Sequence, residues 1–211
     1  MNFDRRTVRV AGIVYLFAWI VGLSVWPTNP SVRASGTQIA AALHGHVPVA
    51  IAQYVCTQGI AGIALAVIVS TFTGWARITG LSAVAVSLTQ CALGVHMSGW
   101  SSAGSADAAQ TVFALVNRLD GVKMLLLAVA AFLVSVSALR NHIGPVWVHL
   151  TGLALALTIS ISGIGYLLLS TTLAPAAYVA GIVLLVWVPA TAWARRDITG
   201  PVSVARIAVP A

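Results

Sequence analysis

Acidic side chains are nearly missing from this chain: Asp4, Asp107, Asp120 and Asp197 are the only four among 211 residues. So few carboxylates leave no Asp-rich motif to hold magnesium on a diphosphate, which argues against prenyl transfer and ionisation-type terpene cyclisation. Cysteine is scarce too. Cys56 and Cys91 belong to no CxxC motif and make no disulfide framework, so they read as small apolar filler. An HExxH pair, a nucleophile elbow and a Gly-rich phosphate loop are also missing, and with them the chemistries those motifs support. Charged residues make up only 7% of the chain, where ordinary soluble domains carry roughly a quarter.

What is present is apolar: 59% of the residues are hydrophobic and the mean hydropathy is +0.97. Repeated apolar runs of about 20 residues cannot all be buried in a soluble core of this size, so the solvent is lipid. The pattern predicts an all-α integral membrane bundle of about six transmembrane helices, forming one domain over residues 1–211. The net charge of +7 looks like a nucleic-acid signature until the positions are read. The basic residues sit in short segments flanking apolar runs, with no recognition motif. They carry topology and attraction to anionic membrane lipid, and no nucleic-acid partner is expected.

Spans are expected at about 8–26, 47–72, 78–100, 108–139, 146–169 and 175–193. The first stops at Pro27 and Pro30, where a helix cannot continue. It lacks a small-residue cleavage pattern, so it reads as a retained helix rather than a signal peptide. A polar loop follows to about His46, and the fourth helix opens near Asp107, where a carboxylate suits the helix dipole. Arg5, Arg6, Arg9, Arg77, Arg140, Arg195, Arg196 and Arg206 fall on one side of this arrangement. Arg33, Arg118 and Lys123 fall on the other. By the positive-inside rule both termini are expected in the cytoplasm. No internal repeat or pair of broken helices marks an inverted-repeat transporter.

Asp120 is the one acid expected at or just inside the membrane boundary, in the segment Asn117-Arg118-Leu119-Asp120-Gly121-Val122-Lys123. Ionisable groups at that depth mark functional sites by default. The alternative is structural: Asp120 and Lys123 are three apart and can pair on one helical face, with Asn117 a turn earlier. Orienting the spans brings further polar and aromatic residues to a similar depth in the outer half. They are Trp19 and Trp26, Gln53, Tyr54, Thr57 and Gln58, Gln90, His96 and Trp100, Ser162, Tyr166 and Tyr178. An aromatic belt at the interface explains several of the Trp and Tyr residues. It does not explain Gln53, Gln58, Gln90 and His96, which want hydrogen-bond partners inside a bundle. A pocket open to the outer leaflet is the expectation. His44, His46 and His96 share that side, but no acid or thiol at ligand spacing accompanies them, so no metal site is expected.

One chemistry needs only these parts, without metal or cofactor: protonation of an alkene or epoxide in a lipid-soluble substrate, then cation-driven ring closure. It requires an acid kept protonated by an apolar site and aromatic faces for the carbocations. Asp120 would be the acid, with His96 orienting it or taking the terminal proton. Trp19, Tyr54, Trp100, Tyr166 and Tyr178 would be the aromatic faces, with Gln58, Gln90 and Asn117 as polar lining. Pairing with Lys123 would spoil the acid.

The segment from Asn117 to Lys123 running into Met124-Leu125-Leu126-Leu127-Ala128 resembles one in small actinobacterial polytopic membrane proteins. Gly144-Pro145-Val146-Trp147, Gly163-Ile164-Gly165-Tyr166 and Leu173-Ala174-Pro175-Ala176-Ala177-Tyr178, ending in Leu184-Leu185-Val186-Trp187, are similar to theirs. Some small bacterial membrane proteins of this type are terpene cyclases of prenylated-indole (drimentine-like) pathways. The resemblance implies the bacterial cytoplasmic membrane and a membrane-embedded, metal-free cyclase or isomerase making meroterpenoids, with a prenylated small molecule as substrate. The alternative is a non-enzymatic membrane protein that binds or senses a hydrophobic small molecule or stabilises a partner. A small transporter is a third reading.

Overall fold

The computed structural model describes residues 3–25, 30–100 and 106–194, the Trp100 side chain excepted. Its helices are α1 (Arg5–Val25), α2 (Gly36–Leu43), α3 (Val47–Val69), α4 (Gly74–Trp100), α5 (Ala106–Arg140), α6 (Val146–Leu167) and α7 (Ala176–Ala194). All but α2 are long and apolar enough to cross a membrane. The all-helical bundle predicted from the apolar runs is therefore what forms, and a multi-pass membrane protein is compatible with it. With six crossings, Arg5 and Ala194 lie at the same end of the bundle, called here the terminal end; the opposite end is the loop end.

Two features depart from the reading of the sequence. Residues 36–43, read as polar loop, form α2. The reason is a capping box: Ser35 Oγ accepts from Gln38 N at 3.3 Å, and Gln38 Oε1 accepts from Ser35 N at 2.9 Å. Such reciprocal caps satisfy donors that a short helix otherwise leaves open. The α2 backbone then lies against the start of α5, where a Cβ at Gly36 would come 1.9 Å from the Ala106 carbonyl oxygen. Ile39 and Leu43 of α2 join Ala50, Met97, Ala109 and Phe113 in a small apolar cluster at the loop end. There Arg33 Nε donates to the Leu169 carbonyl at 2.7 Å, tying the first loop to the turn after α6.

The second departure lies inside α3, where Val55–Ile60 form a π-helical segment. One wide turn rotates everything on its two sides relative to a continuous α-helix, and such insertions recur at functional sites. The main core lies along the bundle axis and includes Tyr15, Leu65, Leu127, Leu155, Ile159, Leu184 and Trp187. The outward faces carry large apolar side chains, Phe17, Ile63, Leu157 and Ile182 among them, as lipid-facing helices require.

Candidate functional site

The position of Asp120 follows from two glycines. A Cβ at Gly121 would come 2.6 Å from the Gly163 carbonyl oxygen, and one at Gly163 would come 3.1 Å from the Gly121 carbonyl oxygen. The missing side chains let α5 and α6 touch backbone to backbone, as small residues do between helices in lipid. The flanking Asp120 and Lys123 meet α3 and α4. At about 1.5 Å rise per residue, Asp120 lies about 30 Å along α5 from Arg140 at the terminal end. That is about the full hydrocarbon thickness. Asp120 thus stands near the loop-end boundary and Lys123 one turn deeper.

Lys123 is 5% exposed and forms an ion pair with Asp120 Oδ1. Its Nζ also donates to Gln58 Oε1 at 2.8 Å. Gln58 is placed by the π-helical segment, and its side-chain oxygen and backbone carbonyl share the Ser87 hydroxyl, at 2.9 and 3.0 Å. Gln90, one turn along α4 from Ser87, donates through Nε2 to Asp120 Oδ1 and to the Val116 carbonyl, both at 3.1 Å. Gln90 Oε1 is buried without a partner. The result is a continuous, largely buried polar network across α3, α4 and α5.

Of the residues singled out from the sequence, Asp120, Gln58 and Gln90 are brought together here. Tyr54 and Tyr166 are half-buried. Tyr54 lies over Gly94, where a Cβ would come 2.3 Å from its ring. Asn117 is buried, and its side chain donates to the Phe113 carbonyl of its own helix at 2.8 Å. His96 is exposed, which fits its position about 120° round α4 from Gln90. Tyr178 is 80% exposed on α7 and faces away from the bundle. Trp26 and the Trp100 side chain lie outside the described residues. Among those residues no three His, Cys, Asp or Glu side chains gather as a metal-binding set.

Trp19 belongs to a feature the sequence did not reveal: a cavity of about 40 Å³ on the bundle axis, directly beneath the network. All six membrane-spanning helices reach it. Tyr15 and Trp19 come from α1, Thr57 from α3, Ser87 from α4, Lys123 and Met124 from α5, Ile159 from α6 and Leu184 from α7. Tyr15 and Trp19 stand as a tilted aromatic pair, centroids 6.5 Å apart. The Thr57 hydroxyl is satisfied by the Gln53 carbonyl at 2.8 Å, and Ser87 by Gln58. Lys123 is thus the one charged residue of a mostly apolar lining, with its ammonium engaged in the network above. The described residues supply acceptors for two of its three hydrogens. Tyr15 was legible only as the residue one helical turn before Trp19, and Ser87 only as the residue three before Gln90.

The arrangement can hold an acceptor oxygen against the ammonium and an apolar body against Tyr15, Trp19 and Met124. It is a small, mostly apolar recess beside a polar network. No protein-family model, no curated protein and no solved structure matches this chain.

Proposed function

We propose that the protein is a non-enzymatic membrane binder of a small lipophilic molecule with an acceptor oxygen, such as a carbonyl or carboxylate. The oxygen would accept from Lys123. The observation that carries this reading is the mostly apolar cavity that all six spans reach, with Lys123 the one charged residue in its lining. In lipid an apolar body gains little by moving from acyl chains to a protein wall. Affinity therefore comes from the charge-assisted hydrogen bond and from close packing. At about 40 Å³ the cavity holds little more than water; roughly 150 Å³ is needed for benzene. A ligand must displace side chains, and Met124, unbranched and flexible, is the one able to yield.

A second reading, a proton-initiated terpene cyclase, is favoured by the Tyr15–Trp19 pair, whose ring faces could steady a carbocation. Against it stands the ion pair between Asp120 and Lys123. A cyclase would have to separate Asp120 from Lys123 on binding substrate.

Purified protein in nanodiscs, tested by thermal shift against alkanes, ketones, quinones and fatty acids of matched size, tests the first reading. Oxygen-bearing compounds should raise the melting temperature and alkanes should not, because ligand binding to the folded state adds RT ln(1 + [L]/Kd). No shift from any class would sink it. Farnesylated indoles and their epoxides belong in the same panel. Isomers of unchanged mass, formed by wild type and lost in Asp120→Asn, would establish the cyclase instead.

A further inference from the structure

At the terminal end of the bundle, α1 and α7 are drawn together by another glycine. A Cβ at Gly12 would come 2.9 Å from the Ala192 Cβ. One turn nearer the end, this approach sets the Arg9 guanidinium over the Trp193 ring, 5.0 Å from its centroid. Stacking on an indole fixes the guanidinium plane and leaves its N–H edge in need of acceptors. Among the described residues Arg9 Nε is buried without a hydrogen-bond partner. Asp4, the one acid among the described residues of α1 and its leader, is engaged by Thr7. Asp4 accepts from Thr7 N at 2.8 Å, and its hydrogen bonds with Thr7 and then the Arg6 charge hold its carboxyl below the ordinary range. The residue as a whole is only half-buried, and Trp193 is 52% exposed. The site thus opens at the depth where headgroups lie, with exposed Arg6 one turn away on the same helix face.

We propose that Arg9 and Trp193, assisted by Arg6, form a binding site for the phosphate of an anionic phospholipid. The phosphate oxygens would take the guanidinium fork, the bidentate pairing for which arginine is suited, while the indole supports the guanidinium from behind at the membrane interface. This site is separate from the Lys123 cavity and stands or falls without it.

The test uses the full chain in nanodiscs of phosphatidylcholine alone, of phosphatidylcholine with phosphatidylglycerol, and of phosphatidylcholine with added inorganic phosphate. The readouts are melting temperature and lipid retained in native mass spectra. Phosphatidylglycerol should stabilise wild type, and Arg9→Gln should retain roughly fivefold less of it. Arg9→Lys, which keeps the charge and so guards against misfolding, should fall between them, because an ammonium neither forks nor stacks in the same way. Arg77→Gln removes an exposed charge from the same end and should retain as much as wild type. Equal losses in Arg77→Gln and Arg9→Gln would reduce the effect to surface charge and overturn the site. Equal stabilisation by inorganic phosphate would overturn the assignment to lipid.

Discussion

Among single residues, the Asp120–Lys123 pair decides what the site can be. Removing one member of a buried ion pair strands the other, at a cost of about 3–5 kcal/mol, whereas removing both is much milder. Lys123→Met should therefore destabilise strongly, because Asp120 and the Gln58 side-chain oxygen lose their shared cation. In the double variant Asp120→Asn/Lys123→Met most of the loss should return, since the amide can still accept from Gln90. Reversible unfolding in mixed micelles measures this cycle; a loss in the double variant equal to the sum of the losses in Asp120→Asn and Lys123→Met would show that the pair is not coupled. Asn117→Ala should leave ligand binding within about twofold of wild type, because its side chain bonds its own helix and makes no contact that carries affinity. Asp120 was legible in the sequence as the lone acid at membrane depth, and Lys123 as its neighbour three residues on. That Lys123 also reaches Gln58 was not legible. The contact depends on which way α3 turns after its π-helical segment, and hydropathy does not record that rotation.

Among helices, close approach at glycine does most of the positioning. At Gly121 an added methyl group would meet backbone, the Gly163 carbonyl oxygen at 2.6 Å and Leu167 N at 2.7 Å. At Gly163 it would meet the Gly121 carbonyl oxygen at 3.1 Å and the flexible end of Leu125 at 3.2 Å. Gly121→Ala should accordingly cost more than Gly163→Ala, with overpacking of this kind worth about 1–3 kcal/mol. It should also weaken ligand binding by levering Asp120 and Lys123 away from α3. Melting temperatures of the two variants in one detergent give the order, and the reverse order would contradict this account of the α5–α6 crossing. The six spans were visible as apolar runs, with ends within a few residues of those observed. Helix α2 was hidden by its polar composition, although Ser35 and Gln38 at capping-box spacing are the signal that finds it.

In the whole molecule, polar and apolar parts are layered along the bundle axis. The loop end is closed by α2 and its apolar cluster, and the network from Gln58 to Asp120 lies below. The cavity follows, and beneath it Ala131, Leu155 and Val188 are packed with almost no exposure. Composition foretold a bundle with a polar half. The central cavity follows from packing order, which six similar apolar spans do not encode. The most direct test of the Lys123 site is the affinity of a matched pair, one long-chain ketone and the alkane of the same shape. It is measured in nanodiscs for wild type and for Asp120→Asn/Lys123→Met, the variant expected to recover most of the stability lost in Lys123→Met. Wild type should prefer the ketone by roughly 10- to 100-fold, the worth of one charge-assisted hydrogen bond, and the double variant should show almost no preference. Equal ketone preference in both proteins would place the ligand somewhere other than against Lys123 and contradict the account.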